Sequence, residues 1–596
     1  MEKKNLDFTI EKSKDGYNIA KIKKDNKYIY IGSKYNVRSE LDKFLNYIDT
    51  LDGIEDNEKQ FIIFGFGAGE HIKELRKKYK KNKIKVIEPN KAIGEYIENL
   101  EWIKKDENIE LVDCYKSDGI EDLDDDFFDE CKLQNIQIIP FANYKKLYLE
   151  EFLCLCKEIR KIYVDNIIQR NTKMYFKDRW FEALMENIPH MIESPILDLY
   201  KNEYKNKPAI IVSSGPSLDK NIENLIGIEG EFFIISAGRS LVALKEKKIN
   251  ANLFVSIDSD ELSYKFIEDF IEDIEAPLLF LDTTNEKIVK NYNGKKICST
   301  YNKMMYDIFS EYIHVQLLTS YGSVSHTMIS AAVLLGCNPI ILVGQDCAYT
   351  NNKAHSPFLE EKQKGAKFED SKRENDFFVE DVNGGQVRTS WELDGFRIGI
   401  EKLIKDNQNI TFINATEGGA KIHGAMQMKL CDAINKYSGS KVEALSNKIS
   451  DNRIKLRTID VISEMQKGLL YIKNKCNEAL ILIKKISYNN FNYSKKNNDI
   501  INKINEIDKK IKKEMSNFIV IESLLYPIIY NILVDKSVVK EKDEIIKREL
   551  IIEENLKLYT NIKNVIEYSL KYLEHTLDAL KSSERIFLSN KKEIEK

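Results

Sequence analysis

Residues 208–219, Pro-Ala-Ile-Ile-Val-Ser-Ser-Gly-Pro-Ser-Leu-Asp, constrain the fold of this chain more than any other stretch. The apolar run 209–212 predicts a short buried strand, the small residues after it predict a tight turn, and Leu218-Asp219 opens a helix. Such a turn lets backbone N–H groups and the positive end of a helix dipole approach an anion. It therefore predicts a phosphate site, although it lacks the P-loop lysine and the G-x-G-x-x-G pattern.

Strands and helices alternate through residues 206–428, which we predict to form one α/β domain. Its strands are expected at 209–213, 232–236, 252–257, 277–281, 340–343 and 410–413. This order predicts a mostly parallel sheet with helices on both faces, as in Rossmann-like folds. Ligands of such sheets bind beyond the carboxyl ends of the strands. The polar segment 350–390 has little regular pattern and predicts an active-site loop.

Three further segments flank this domain. Residues 1–140 predict a hairpin, with strands at 17–22 and 28–31, then a helix from Val37 and a Rossmann-like α/β unit. Residues 141–205 predict a helical connector, and the acidic run 121–126 predicts a solvated loop. Residues 429–596 repeat apolar side chains at three- and four-residue spacing, which predicts amphipathic helices. These helices either pack on the core alone or also provide a docking surface for a protein partner.

Composition excludes several classes of function. The 596 residues carry a net charge of −4, with 91 basic and 95 acidic side chains, so no basic field indicates nucleic acid. The start lacks the apolar stretch of a signal peptide, and the apolar segment 329–344 is too short to span a bilayer. The nine cysteines are scattered without metal-site spacing. We therefore expect a cytoplasmic protein with reduced thiols and no membrane span.

A second glycine-rich turn lies in the N-terminal unit. Gly65, Gly67 and Gly69 follow the apolar run 61–64, and Glu88 ends the next predicted strand. The pattern resembles that of S-adenosylmethionine-dependent methyltransferases, in which an acidic residue at this point holds ribose hydroxyls. No Asp/Asn-Pro-Pro-Tyr-type segment follows. Glycines at such a turn also serve close packing of helix on strand, so a cofactor site and a purely structural turn are both open.

Small and polar clusters follow most of the central strands. They are Ser213 to Ser217, Ser236-Ala237-Gly238-Arg239, Ser256-Ile257-Asp258-Ser259-Asp260, Thr319 to Val324, and Gly344-Gln345-Asp346. Because carboxyl ends of parallel strands meet at one edge, these clusters are expected to converge on a single ligand site.

The central residues resemble the bacterial motility accessory factors, which are flagellin glycosyltransferases. The matching strings are Ser-Ser-Gly-Pro-Ser-Leu-Asp (213–219), Ser-Ile-Asp (256–258), Gly-Ser-Val (322–324), Leu-Gly-Cys-Asn-Pro-Ile-Ile-Leu-Val-Gly-Gln-Asp (335–346), Tyr349, Val387 to Thr389, and Asn-Ala-Thr-Glu-Gly-Gly-Ala (414–420). The resemblance implies a sialyltransferase-like layout. It also implies transfer of a nonulosonic acid, such as pseudaminic or legionaminic acid, from its CMP form to Ser/Thr hydroxyls of flagellin.

That activity predicts roles for the converging residues. The backbone amides at 214–217 are expected to neutralise the phosphate, and Asp258 to bind ribose or cytosine. The full set of expected donor-binding residues is Ser213, Ser214, Gly215, Pro216, Ser217, Gly238, Asp258, Ser320, Gly322, Ser323, Gly344, Gln345, Tyr349, Thr389, Glu417, Gly418 and Gly419. Asp346 and His355 are the candidates for the base that activates the acceptor hydroxyl. In sialyltransferases the base is a histidine where this chain has Val387-Arg388-Thr389.

Some of these residues have other interpretations. His326 lies on an apolar helix and is interpreted as a packing histidine. Asp258 and Asp260 imitate an Asp-x-Asp metal motif, but a CMP donor requires no bridging metal, so no metal or other cofactor is expected. Related domains in a pterin pyrophosphokinase use ATP and Mg²⁺, which is the alternative activity. A non-catalytic flagellin-binding factor is the third possibility.

Overall fold

The computed structural model describes residues 8–24, 26–51, 60–113, 136–356, 373, 375–488, 495–534 and 543–594. The chain divides into two compact units, Met1–Thr172 and Lys173–Lys596. The predicted acidic loop at 121–126 lies outside the described residues.

The first unit contains two sheets. An antiparallel sheet is formed by β1 (Phe8–Lys12), β2 (Asn18–Lys24) and β3 (Lys27–Ile31). The second sheet is parallel, in the order β6-β5-β4-β7, and consists of β4 (Gln60–Phe64), β5 (Ile84–Glu88), β6 (Ile109–Asp113) and β7 (Ile136–Pro140). Its helices are α1 (Val37–Asp49), α2 (Glu70–Lys78), α3 (Lys91–Ile97), α4 (Glu101–Lys104) and α5 (Tyr144–Leu147).

The sequence predicts most of this unit. The predicted hairpin, the helix from Val37 and the parallel α/β unit are all present, because their apolar alternation matches the burial of each element. Strands β1, β6 and β7 were not predicted. Strand β1 pairs antiparallel with β2, with Phe8 opposite Ile22.

The second unit is built on an eight-stranded sheet in the order β12-β11-β10-β9-β8-β13-β16-β17. Its strands are β8 (Ala209–Val212), β9 (Phe233–Ala237), β10 (Leu253–Ser256), β11 (Leu278–Leu281), β12 (Lys296–Ser299), β13 (Ile340–Val343), β16 (Phe412–Asn414) and β17 (Met426–Gln427). All pairings between them are parallel. The predicted α/β class and each predicted central strand are therefore confirmed, while β12 and β17 were missed.

The strand order reverses in the middle of this sheet. Strands β9 to β12 extend to one side of β8, and β13 and β16 extend to the other. The carboxyl ends at such a reversal leave a crevice between diverging loops, which is where open α/β sheets bind ligands. The turns that begin at Ser213 and Gly344 flank this point.

Helices cover both faces of the sheet. Helix α6 (Leu149–Glu193) begins in the first unit, and its residues from Phe181 to Ile192 join the core of the second unit. The other helices are α7 (Leu218–Asn221), α8 (Gly238–Glu246), α9 (Glu261–Lys265), α10 (Glu286–Asn291), α11 (Lys303–Ser310), α12 (Val324–Leu334), α13 (Trp391–Asp406) and α14 (Leu430–Tyr437). The buried apolar α12 followed by β13 confirms the prediction for 329–344.

Four helices form the C-terminal bundle in the part of the chain that the structure describes beyond residue 450: α15 (Asn452–Tyr488), α16 (Lys495–Met515), α17 (Glu522–Val534) and α18 (Glu544–Ile594). Their buried apolar residues, such as Ile472 and Leu573, join the same hydrophobic core as one face of the sheet. Tyr568 and Tyr572 of α18 both donate to Glu182 of α6. The predicted helical packing on the core is confirmed.

The segment 350–390 is more ordered than its composition predicts. Strands β14 (Phe377–Glu380) and β15 (Gln386–Thr389) form an antiparallel hairpin in it. The prediction of an irregular loop is therefore wrong for this part, because alternating burial along β14 gives the hairpin a packed face. Residues 357–372 lie outside the described residues.

Candidate functional site

A cavity of about 330 Å³ opens at the carboxyl ends of the central strands, beside the strand-order reversal. Its volume falls in the range of small-molecule sites. Most of the residues predicted from the sequence line it, namely Ser213, Ser214, Gly215, Gly238, Asp258, Gly322, Ser323, Gly344, Gln345, Asp346 and His355. That these residues bind a sugar-nucleotide donor stays a prediction.

Arg239 belongs to one of the clusters expected to converge on the site, but the set of expected donor-binding residues did not include it. It lies in the first turn of α8, lines the cavity, and stacks its guanidinium over the Phe266 ring at 4.5 Å from the centroid. Burial lowers the pKa of Arg239 to about 10, against an opposing attraction from Asp258, so the group is cationic at neutral pH. The sequence signal was its place directly after the small residues that end β9.

Arg239 also fixes the protonation of His355. Its Nη1 contacts Nε2 of His355 within hydrogen-bonding distance. A guanidinium only donates hydrogen bonds, so Nε2 of His355 must accept, and the imidazole is neutral with its proton on Nδ1. The candidate base is therefore in its basic form, with its lone pair aimed at Arg239.

Asp258 is the exposed carboxylate among the described residues that line the cavity. Among the described residues, none donates a hydrogen bond to its carboxylate, which is accessible to solvent through the cavity. Desolvation by the surrounding protein raises the pKa of Asp258, and the negative charge of Asp260 raises it further. The positive charge of Arg239 opposes this shift. Asp260 caps α9 by accepting from the backbone N–H of Leu262 at 2.7 Å. Asp258 is thus the acceptor that a ligand can reach.

Asp346 is held by its neighbours. Its Oδ1 accepts a 2.6 Å hydrogen bond from the Ser217 hydroxyl, and its Oδ2 accepts one of 2.5 Å from the Thr350 hydroxyl. The Ser217 backbone N–H lies 3.2 Å from Oδ2. Burial raises the pKa of Asp346, and these hydrogen bonds oppose the shift. Such an arrangement favours a bracing role over proton transfer.

The expected cradle of backbone amides at 214–217 is not open in this structure. The N–H of Gly215 donates to the carbonyl of Gly344 at 2.8 Å, Pro216 has no N–H, and that of Ser217 donates to Asp346. Helix α7 is a single turn, so its dipole is small. In this structure the turn after β13 therefore uses the amides of Gly215 and Ser217, and that amides at 214–217 face a phosphate stays a prediction.

Glycines allow the two turns to approach this closely. A Cβ on Gly215 would lie 2.2 Å from Asp346 Oδ1, and one on Gly344 would lie 2.3 Å from the Ser213 carbonyl oxygen. Gly344 also has a φ of 66°, which disfavours other residues. The strand-end glycines are thus required for packing between β8 and β13.

The other predicted donor-binding residues lie outside the lining of the cavity. The buried Thr389 hydroxyl donates to the Cys347 carbonyl at 2.9 Å, and Tyr349 is buried under the Arg388 guanidinium. Ser320 accepts weakly from the Gly322 N–H at 3.4 Å. The loop 417–419 packs behind Asp346, where a Cβ on Gly419 would lie 2.3 Å from its carbonyl oxygen. These residues support the site from outside, as do Pro216 and Ser217.

The region where sialyltransferases carry their base has a structural role here. Arg388 forms a buried ion pair with Asp376 at 2.5 Å, across the hairpin of β14 and β15. The Tyr349 backbone N–H donates to the Arg388 carbonyl at 2.8 Å. Arg388 therefore ties the hairpin to the segment after β13.

His326 has the packing role that its apolar helix indicates. It is fully buried, and its Nε2 donates to the Phe396 carbonyl at 2.9 Å. Its Nδ1 accepts from the backbone N–H groups of Tyr321 and Ser323, each at 3.3 Å. Burial lowers its pKa and keeps it neutral. His326 thus holds the 321–323 turn at the cavity wall.

The glycine turn of the first unit is filled by protein. The Tyr144 ring lies against Gly65, where an added Cβ would come within 2.2 Å of it. The Tyr144 hydroxyl donates to Glu88 Oε2 at 2.7 Å and accepts from the Gly67 N–H at 2.8 Å. Glu88 is completely buried and also accepts from the Phe66 N–H. Tyr144 therefore makes the hydrogen bond to Glu88 that a ribose hydroxyl would make, which favours the structural interpretation of this turn.

No group of three or more His, Cys, Asp or Glu side chains in the described segments is arranged to hold a metal ion. Within the same segments, no helix combines the length and apolarity of a membrane span.

Comparison with known proteins places this site on a known fold. Residues 182–352 match a family model described as 6-hydroxymethylpterin diphosphokinase MptE-like. The structure is similar to that of the MAf glycosyltransferase from Magnetospirillum magneticum AMB-1, with a TM-score of 0.54 and 12% identity over 98% of this chain and 96% of that one. No curated protein sequence matches the chain. The resemblance to the motility accessory factors is confirmed at the level of the fold, because the chain folds as the MAf glycosyltransferase does along nearly its whole length.

Proposed function

We propose that the protein is a glycosyltransferase that moves a nonulosonic acid, of the pseudaminic or legionaminic type, from its CMP-activated form to Ser/Thr hydroxyls of flagellin. The observation that carries the proposal is the cavity at the strand-order reversal, whose lining by described residues includes the Arg239 guanidinium, the accessible Asp258 carboxylate and the His355 imidazole. The fold of a MAf glycosyltransferase supports the same class of reaction.

The charges of the cavity suit this donor. A CMP-nonulosonic acid carries two anions at its reacting carbon, the phosphate and the sugar carboxylate, and Arg239 supplies a cation for them. Asp258 suits the hydroxyl and amino groups of ribose or cytosine. CMP is a good leaving group, so the reaction requires stabilisation of growing phosphate charge more than a strong general acid. No metal is needed for this chemistry, and we propose that none participates.

His355 is the better of the two candidate bases. Its neutral imidazole lines the cavity, and Nε2 carries the lone pair. Asp346 already accepts hydrogen bonds on both oxygens and is 2% exposed. We therefore assign proton abstraction from the acceptor hydroxyl to His355 and a positioning role to Asp346. Attack on the face opposite the CMP inverts the anomeric carbon.

The acceptor and the cellular location follow from the same proposal. Flagellin is exported, so its modification would take place in the cytoplasm before export. The C-terminal bundle, α15 to α18, is the proposed docking region for flagellin, in addition to its role in the core.

A cavity-filling variant tests the donor site. Gly238 accepts a side chain, because a Cβ there would meet its nearest neighbour at 3.8 Å. We expect CMP at 100 times its dissociation constant to stabilise the wild type by about 2.7 kcal/mol in thermal unfolding. Gly238→Phe should abolish this shift. Gly230→Phe is the matched control, because Gly230 is exposed with nothing within 4 Å of its Cβ position.

Transfer itself is measured by mass spectrometry of purified flagellin after incubation with the protein and a CMP-nonulosonic acid. The expected mass gain equals one sugar residue and is absent with Gly238→Phe. Binding of flagellin without any nucleotide response would instead identify a non-catalytic flagellin-binding factor.

A second activity is favoured by one specific observation, the match of residues 182–352 to the pterin diphosphokinase-like model. In that case the cavity would bind ATP with Mg²⁺, and Asp258 would be a metal ligand. A thermal shift with ATP and Mg²⁺ but none with CMP would replace the glycosyltransferase proposal with this one.

A further inference from the structure

The contact between Arg239 and His355 has a consequence for the order of events in the site. Arg239 donates from Nη1 into the Nε2 lone pair of His355, which is the lone pair that a base must use. In this state the proposed base is occupied, although it is neutral and lines the cavity. The base is therefore masked by the same group that attracts the donor.

An anion in the cavity competes for this guanidinium. A hydrogen bond between a guanidinium and a phosphate or carboxylate is charge-assisted, whereas its bond to a neutral imidazole has charge on one side only. The backbone of Arg239 is fixed in the first turn of a helix, and rotation of its guanidinium over the Phe266 ring would turn its donors from His355 to an anion in the cavity. The Arg239 guanidinium therefore binds the anion more strongly than it binds His355.

We propose that Arg239 gates the base: it masks Nε2 of His355 in the empty site and releases it when the anionic donor binds. The inference rests on the proposed function. With Nε2 released, His355 takes the proton of the acceptor hydroxyl, the acceptor oxygen bonds to the anomeric carbon, and the bond from that carbon to the CMP oxygen breaks with its electron pair leaving on CMP. The donor then binds before the acceptor is activated.

The gate makes activation of the acceptor depend on the donor, because an acceptor hydroxyl cannot hydrogen-bond to Nε2 of His355 until Arg239 leaves it. Without donor, an acceptor hydroxyl meets an imidazole that is already hydrogen-bonded, so no proton is abstracted. Arg239 is thus a donor-binding residue and also a positioning residue for the base. His355 and Arg239 are separated by 116 positions in the chain, so the relationship exists only in the fold.

The gate is tested by observing His355 directly. The protein has seven histidines, and the ¹³Cε1–H signal of His355 is identified by its loss in His355→Gln. CMP is expected to shift this signal, because its phosphate removes Arg239 from Nε2. Cytidine, which lacks the phosphate, should leave the signal in place.

Substitution of Arg239 provides the second readout. Arg239→Met keeps the length of the side chain without its donors, and we expect CMP to bind about tenfold to a hundredfold more weakly, with no shift of the His355 signal. Lys245→Met is the control, because Lys245 lies on the same helix over the Phe270 ring and outside the cavity lining. Arg239→Lys keeps a cation, so it should recover part of the affinity.

The outcomes separate the two proposals. If CMP binds the wild type but Arg239→Met binds it equally well, or if the His355 signal does not respond, the gate is wrong and the proposed function stands. If CMP does not bind the wild type at all, the proposed function fails and the gate fails with it.

Discussion

The hydroxyl of Ser217 donates a 2.6 Å hydrogen bond to Oδ1 of Asp346 and so joins the turns after strands β8 and β13. The two residues are 129 positions apart, and both are buried. Thr350 completes the network from the other oxygen of the carboxylate. This network sets the shape of the turn at the reversal point of the sheet, where the cavity opens.

The first prediction separates bracing from catalysis at Asp346. Asp346→Asn keeps the shape: its oxygen at the Oδ1 position can accept from the Ser217 hydroxyl and from the Ser217 N–H, which lies 3.3 Å from Oδ1, and its amide nitrogen can donate to the Thr350 oxygen. We therefore expect stability and transfer to stay near wild type. Asp346→Ala leaves the Ser217 and Thr350 groups unpaired and should cost about 1–3 kcal/mol of unfolding free energy. Both are measured by denaturant unfolding and by the flagellin transfer assay. A loss of about 10²–10⁴-fold in transfer with stable Asp346→Asn would instead make Asp346 the base.

The second prediction concerns Gly344. Gly344→Ala should abolish CMP binding and destabilise the second unit, because the added Cβ would lie 2.3 Å from the Ser213 carbonyl oxygen. Gly227→Ala is the matched control: its φ of 83° is also left-handed, but nothing lies within 4 Å. We expect the unfolding free energy of the control to fall by about 1–2 kcal/mol, which is the conformational cost of a left-handed alanine. The control should bind CMP normally. An equal loss of thermal stability in Gly344→Ala and Gly227→Ala would contradict the packing argument.

Local patterns in the sequence predict the sheet well. The apolar runs at 209–212 and 340–343 are fully buried strands, and the small residues after them do meet at one edge. The missed hairpin also had a local signal, since Asn383-Gly384 lies between its two strands and is a strong turn former. Strand β12 is a short edge strand with a lysine at its start, which gives little pattern to detect.

The site chemistry was harder to predict because it depends on long-range hydrogen bonds. The sequence places the amides of Gly215 and Ser217 in a small-residue turn, but their acceptors, Gly344 and Asp346, come from a distant strand end. Local sequence patterns do not show which distant acceptor will take the hydrogen bond of a given backbone N–H group. For the same reason, the contact between Arg239 and His355 was not foreseen.

The third prediction tests the role of Asp258 as a ligand for ribose. We expect the wild type to bind CMP about tenfold or more tightly than deoxy-CMP, because the carboxylate can accept from the ribose hydroxyls. Asp258→Ala should remove this preference at little cost in stability, since no described residue donates to that carboxylate. Asp260→Ala is the control: it loses the cap of α9, worth about 1 kcal/mol, and keeps the preference. Isothermal titration calorimetry measures the affinities of the wild type and of both variants for CMP and deoxy-CMP. Equal affinities of the wild type for the two nucleotides would contradict the assignment.

The last prediction concerns two buried titratable groups of the first unit, Glu88 and His71. Burial raises the pKa of Glu88 from 4.5 to about 7 and lowers the pKa of His71 from 6.5 to about 3. The folded state holds the Glu88 proton that the unfolded state releases above pH 4.5, so this group makes stability fall as pH rises to 7. The unfolded state protonates His71 below pH 6.5 and the folded state does not, so that group makes stability fall as pH falls.

Between pH 4.5 and 6.5 the two effects oppose each other and largely cancel. Glu88→Gln leaves only the histidine effect, so its unfolding free energy relative to wild type should rise with pH by about 1.4 kcal/mol per unit in this range. His71→Gln should show the opposite slope. Trp102 is the tryptophan of the first unit among the three in the chain, so its fluorescence in a Trp180→Phe, Trp391→Phe background reports this unit during urea unfolding. If the unfolding free energies of both variants changed with pH in the same way as that of the wild type does, the two groups would titrate normally in the folded protein.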